Sequence, residues 1–348
     1  VLALAGGLVA SVSAQSPAAV AQLTSAKLLG QRIMVGLAGT APDAELLRRV
    51  RDGRVGAVIL FASNIVSRGQ LRALTGALQR AAREGGNPPL LIAVDQEGGQ
   101  VKRLPNGPPS LSPPQMTATG RPSVARRQGR ATGNYLQGLG INMDLAPVVD
   151  VPTSSRAFIW REGRAFSFDS SKVTTYGSAF ALGLQSAHAA ATAKHFPGVG
   201  AATVDTDNGL DELRPSKAQR EAALRPYREL IPRGLDAIML STAGFPAYDP
   251  SGTPAALSAR IIQRLLRRKL GFAGVAITDS LGSPTGHDEI TAGVIAAEAG
   301  ADILLYTDGA PGELGALETA LRDGRLSRAG AVASYNRIVA LKRAVAGG

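Results

Sequence analysis

The chain has 348 residues, 45% of them hydrophobic and 19% charged, which excludes a disordered or fibrous protein. It contains no cysteine, so thiolate nucleophiles and a Cys-ligated zinc are excluded as well. A net charge of +11 would suit nucleic acid, but the basic residues are scattered in singles and pairs such as Arg126-Arg127, the longest run being Arg267-Arg268-Lys269, without interleaved aromatics. A solvated basic face is therefore the expectation, with no nucleic-acid partner.

Residues Val1 to Ser13 form an apolar run of small residues, and Val12-Ser13-Ala14 resembles the small-x-small end of a secretory signal. The run falls short of the roughly 20 apolar residues needed to span a bilayer. Residues 1–14 thus read as a truncated export signal, placing the protein outside the cell or in its envelope. The alternative is an N-terminal core helix.

From Leu23 onward, short apolar runs alternate with longer amphipathic stretches, the rhythm of repeated βα units. The eight runs are Ile33–Leu37, Gly56–Phe61, Leu90–Asp95, Ile141–Val149, Ala191–Lys194, Ala237–Ser241, Val275–Asp279 and Ile303–Thr307. Helical patterns follow them at Asp43–Asp52, Arg68–Glu84, Ser123–Leu139, Ser171–His188, Ser216–Arg233, Ser258–Leu270, Glu289–Ala299 and Gly312–Asp323. Ser216 and Ser258 stand at N-cap positions. This count predicts a single-domain (β/α)8 TIM-type barrel over residues 23–346. The Pro- and Gly-rich segment Pro105–Pro122 reads as a long loop on the active face.

Chemistry in such a barrel gathers where the strands end. Strand three ends in Asp95-Gln96-Glu97-Gly98-Gly99, strand five in Lys194-His195, strand seven in Thr278-Asp279-Ser280 and strand eight in Thr307-Asp308. Asp279 is placed to attack an electrophilic carbon, or else to cap a loop through backbone N–H groups. Lys194 and His195 could donate to sugar hydroxyls or a phosphate, or form a salt bridge and a core-facing imidazole. The Gly-rich loop 196–209 suits a mobile lid. Its Asp205 and Asp207 are too few to hold a metal ion, so none is expected.

Taken together, Asp95-Gln96-Glu97-Gly98-Gly99, Arg164-Ala165-Phe166 and Lys194-His195-Phe196-Pro197-Gly198 resemble glycoside hydrolase family 3, in particular its single-domain β-N-acetylglucosaminidase branch. The resemblance runs from about residue 25 to 345. It implies that Asp279 is the nucleophile, and that Asp95, Arg103, Arg164, Lys194 and His195 grip the sugar hydroxyls and N-acetyl arm. No cofactor is implied, and the implied partner is an N-acetylglucosamine-containing carbohydrate of peptidoglycan or chitin type.

The lid departs from that pattern. The branch carries Asp-Ser-His there, its Asp orienting the His as general acid/base; this chain reads Asp205-Thr206-Asp207. Asp205 keeps the orienting position, while Asp207 replaces the histidine. In a retaining glycosidase a carboxylate nucleophile works with a proton donor, the two carboxyls standing about 5–5.5 Å apart in the two-acid design. Asp207 could be that donor if Asp205 and Asp279 push its proton affinity upward. The expectation is a retaining exo-β-N-acetylhexosaminidase. The alternatives are a catalytically impaired sugar-binding relative and a phosphate-binding barrel enzyme, the latter disfavoured by the strand-end carboxylates.

Overall fold

The computed structural model describes residues 20, 22–309 and 311–346. The reading of residues 1–14 as an export signal lies outside them. Eight strands close a parallel barrel: β1 (Ile33–Val35), β2 (Ala57–Leu60), β3 (Leu91–Val94), β6 (Met143–Asp144), β7 (Ala190–Phe196), β8 (Ala237–Leu240), β9 (Val275–Ser280) and β10 (Ile303–Tyr306), with β10 returning to pair with β1. Between β3 and β6 a small antiparallel hairpin, β4 (Gln96–Gly98) and β5 (Val101–Lys102), stands outside the barrel.

The barrel strands are buried on both faces apart from the half-buried end of β9, and their period-2 alternation sorts side chains into two cores. Ala57 and Ile59, Leu91 and Ala93, Ala237 and Met239, Val275 and Ile277, and Ile303 and Leu305 point into the barrel. Their neighbours Val58, Leu60, Ile92, Val94, Ile238, Leu240 and Leu304 pack outward against the helices. All eight predicted runs supply barrel strands, and helix Arg68–Glu84 has its predicted bounds. Ser216 Oγ accepts from the Gln219 N–H as the N-cap of its helix, whereas Ser258 stands one residue ahead of the N-cap Ala259 and still accepts the Ile261 N–H.

Three segments differ locally from the sequence reading. The run Ile141–Val149 pairs as regular strand only at Met143–Asp144; beyond it the chain keeps a single bridge from Val148 to Lys194. The predicted helix Ser258–Leu270 is wound as a π-helix over Arg260–Lys269. The presumed loop Pro105–Pro122 contains the helix Pro113–Ala118, started by Pro113 at its first position.

The C-terminal helix Arg328–Ala346 closes the barrel floor, sending Ile338, Leu341 and Val345 into the inner core. Burying such a side chain is worth about 1.5–3 kcal/mol. Lys342 of the same helix is buried with them, its Nζ donating to Gln31 Oε1 at 2.6 Å, and burial pulls its ammonium down to about 7. Part of the Arg267-Arg268-Lys269 run also serves the floor, because Arg267 and Arg337 both bind the buried Asp302 carboxylate. No helix among the described residues is long and apolar enough to cross a membrane.

Candidate active site

At the opposite end, the upper layer of the inner core, Ile59, Leu145, Met239 and Leu305, forms the floor of a cavity of about 210 Å³. Around that floor stand Asp95, Arg103, Arg164, Lys194, His195, Asp205, Asp207 and Asp279. These are the eight residues singled out from the sequence, and the fold brings all of them to one cleft.

The hairpin after β3 is made by its composition. Gly98 and Gly99 take φ of +98° and +65°, which side chains resist, so the strand reverses within one turn. Gln96 fastens the return by donating to the carbonyls of Leu104 and Pro108 while accepting from the Leu104 N–H. Arg103 is thereby carried back to Asp95, at 3.4 Å, with its guanidinium 5.9 Å from the centre of the Phe61 ring.

The cavity wall carries a buried ionic array. Lys194 Nζ meets Asp95 Oδ1 at 2.7 Å and Glu97 Oε1 at 2.8 Å; Arg164 forks onto Glu97 with Nε to Oε2 at 2.9 Å and Nη2 to Oε1 at 2.8 Å. Burial favours a neutral Glu97, but the charges and hydrogen bonds of Arg164 and Lys194 outweigh it and hold the carboxyl at about 2. Burial likewise opposes the charge on Lys194, while Asp95 and Glu97 raise its proton affinity above the ordinary value. Lys194 is thus salt-bridged, the second of its two expected roles, and it also lines the cleft.

His195 follows the same pattern. Its Nδ1 lies 2.7 Å from Asp150 Oδ2, and its backbone N–H donates to that oxygen, leaving Nε2 as the ring nitrogen available to a ligand. Burial lowers the imidazole's proton affinity, yet Asp150 and Asp279 together raise it above the usual value. The other Asp150 oxygen accepts from the Val199 N–H and so fixes the start of the lid. Gly200 adds to this: a Cβ there would stand 1.9 Å from the Val151 carbonyl oxygen.

Asp279, half-buried where β9 reaches the cavity, accepts the N–H of Ser280 at 2.9 Å, a small version of the predicted loop cap. Burial, and after it the charge of Asp207, push its carboxyl up to about 6. Asp207 is exposed on the rim and accepts from Ser283 Oγ at 3.0 Å. Asp205 accepts the backbone N–H of Asp207 at 3.1 Å in an Asx turn, so it orients its neighbour through the main chain. Among the described residues no group of three or more His, Asp or Glu side chains is arranged to hold a metal ion.

Three carboxylates of the site were not assigned roles from the sequence. Glu97 and Asp95, two apart, share one side of the chain, and that spacing could have marked them as a pair. Asp150 directly follows the strand-four run, but nothing local ties it to His195. Asp144 is fully buried: one oxygen accepts from the Gln96 N–H, the other has no partner, and burial raises its carboxyl to about 8.

Residues 19–341 match the N-terminal domain of glycosyl hydrolase family 3. An uncharacterized secreted glycosyl hydrolase of Arthroderma benhamiae is 36% identical over 90% of this chain and 92% of its own, and a beta-hexosaminidase of Xanthomonas oryzae is 34% identical over 78% and 82%. Among solved structures, a family 3 β-N-acetylglucosaminidase of Paenibacillus superposes with TM-score 0.88 at 34% identity over 94% of this chain, which spans 64% of that protein. A β-N-acetylhexosaminidase of Beutenbergia cavernae does so with TM-score 0.83 at 30% identity, over 93% of this chain and 99% of its own. With the match running through every barrel strand and the whole cleft, the chain belongs to glycosyl hydrolase family 3 and is a glycoside hydrolase.

Proposed function

We propose that the protein is a retaining exo-β-N-acetylhexosaminidase that removes terminal N-acetylglucosamine from glycosides of peptidoglycan or chitin type. The observation that carries this reading is that Asp279 and Asp207 line one small cavity together with Asp95, Arg103, Arg164, Lys194 and His195. The names of the relatives from Xanthomonas, Paenibacillus and Beutenbergia support the sugar. The secreted relative supports export.

In this mechanism the ionised Asp279 attacks the anomeric carbon while the glycosidic bond breaks, and Asp207 gives its proton to the departing oxygen. Water then adds to the same carbon, losing a proton to Asp207 as the bond to Asp279 opens. Asp95, Lys194, Arg103, Arg164 and His195 hold the ring. Their ion pairs fix these donors before the sugar arrives, so little reorganisation accompanies charge development. No cofactor takes part.

A second reading, a sugar-binding relative with impaired turnover, draws on the exposure of Asp207 and its engagement by Ser283. The two are separated by assaying 2,4-dinitrophenyl and 4-methylumbelliferyl N-acetyl-β-glucosaminides beside chitobiose, with Asp279→Asn and Asp207→Ala. Turnover of all three, abolished by Asp279→Asn and lowered by Asp207→Ala most on chitobiose, by about 10²–10⁴-fold, supports the enzyme with an aspartate acid. Turnover of the dinitrophenyl glycoside only would leave a nucleophile without its acid, and none at all would refute the proposal.

A further inference from the structure

A second cavity, of about 490 Å³, adjoins the first and shares Phe61, Asp207, Ser280 and Thr307 with it. Its remaining lining is Ser63, Gly282, Ser283 and Asp308. Two features separate it from the sugar-gripping cleft. The cleft is floored by aliphatic side chains and ringed by Arg103, Arg164 and Lys194, each engaged with a carboxylate. The second cavity is lined by hydroxyls and two carboxylates, with no Lys, Arg or His among its lining residues. A third carboxylate stands behind it, for a Cβ on Gly282 would meet Glu289 Oε1 at 2.5 Å. Burial, and then the charge of Asp308, raise the Glu289 carboxyl, so this corner carries a negative field.

Asp207 lines both cavities. Under the mechanism proposed above, the proton donor stands beside the glycosidic oxygen, where the sugar being released and the departing group meet, so the cavity that shares Asp207 with the cleft receives that group. Resting on that reading, we infer that the second cavity is the leaving-group site and that it selects a neutral or cationic sugar, of the chitin and glucosamine type, against one bearing a carboxylate, such as the lactyl ether of muramic acid. Ser63, Ser283 and Thr307 offer hydroxyls to a polyol. Asp308 attracts an ammonium and repels a carboxylate, and no cation in the lining compensates. A single carboxylate at the edge of such a site is worth about three- to tenfold in affinity between ligands of opposite charge, and screening by salt should erode it.

The test is binding of intact disaccharides to the Asp279→Asn protein by calorimetry. The three ligands carry N-acetylglucosamine β-1,4-linked to glucosamine, to N-acetylglucosamine or to N-acetylmuramic acid. The expected order is glucosamine at or above N-acetylglucosamine, with the muramic ligand weakest. The spread between the charged pair should be about three- to tenfold at low salt and shrink in 1 M NaCl, where the screening length is about 3 Å. Adding Asp308→Lys should level or invert the order. Equal or tighter binding of the muramic ligand, an order unmoved by Asp308→Lys, or no binding of any disaccharide would overturn the inference. Aryl-glycoside turnover by the otherwise unaltered chain and by its Asp308→Lys variant reads the proposed activity separately. The expected order without turnover would refute the enzyme while leaving the cavity's charge preference standing.

Discussion

Replacing Glu97 by Gln probes the ionic array in the cleft wall with little change of shape. Both Glu97 oxygens are committed, one to Lys194 and Arg164 and the other to the Arg164 Nε–H. Gln keeps one acceptor but turns an N–H2 toward a guanidinium or an ammonium. The residue is 2% exposed, and its carboxyl is held at about 2 against an ordinary 4.5. At about 1.36 kcal/mol per pKa unit, that depression corresponds to about 3 kcal/mol of stability at neutral pH, comparable to the cost of breaking a buried pair. Because the folded pKa lies below the unfolded one, this contribution is complete above pH 4.5 and is lost as pH falls through the folded value. Urea unfolding should therefore place Glu97→Gln about 3 kcal/mol below the parent at pH 7 and at pH 5, and about 2 kcal/mol below it at pH 3.5. A deficit under about 1 kcal/mol at pH 7, or one that fails to narrow on acidification, would refute the idea that this carboxylate is held charged by Arg164 and Lys194.

Two further predictions follow from buried titrating groups. Asp279 must be ionised to attack and is raised to about 6, so kcat/KM should fall about tenfold per pH unit below that value. Asp207→Asn removes one of the two causes and should move this acid limb to lower pH on dinitrophenyl glycosides; an unmoved limb would assign it to another group. At the barrel floor, the Lys342 ammonium is pulled down to about 7 from 10.5, so its cost is full below pH 7 and disappears as pH rises toward 10.5. Lys342→Met should accordingly raise the melting temperature at pH 6 and lose that advantage toward pH 10; equal gains at both would point to packing alone.

The barrel was legible because its strands are buried on both faces, so each appears as a short apolar run between amphipathic helices. The candidate residues were legible for a related reason, since in a parallel barrel the polar residue closing each run must reach the same rim. The C-terminal helix was not read as the barrel's plug, for its buried positions Ile338, Leu341 and Val345 carry no mark of the floor they enter. Charge states were hidden for the same reason. Lys194, Glu97 and Arg164 lie 67 to 99 residues from the partners they neutralise, and His195 lies 45 residues from Asp150. The sequence alone determined which residues gather at the rim, because strand ends and composition are local properties. Which carboxylate is held ionised, which is raised, and that Asp207 lines two cavities emerge from the folded arrangement, because electrostatic free energy depends on distance and burial in three dimensions.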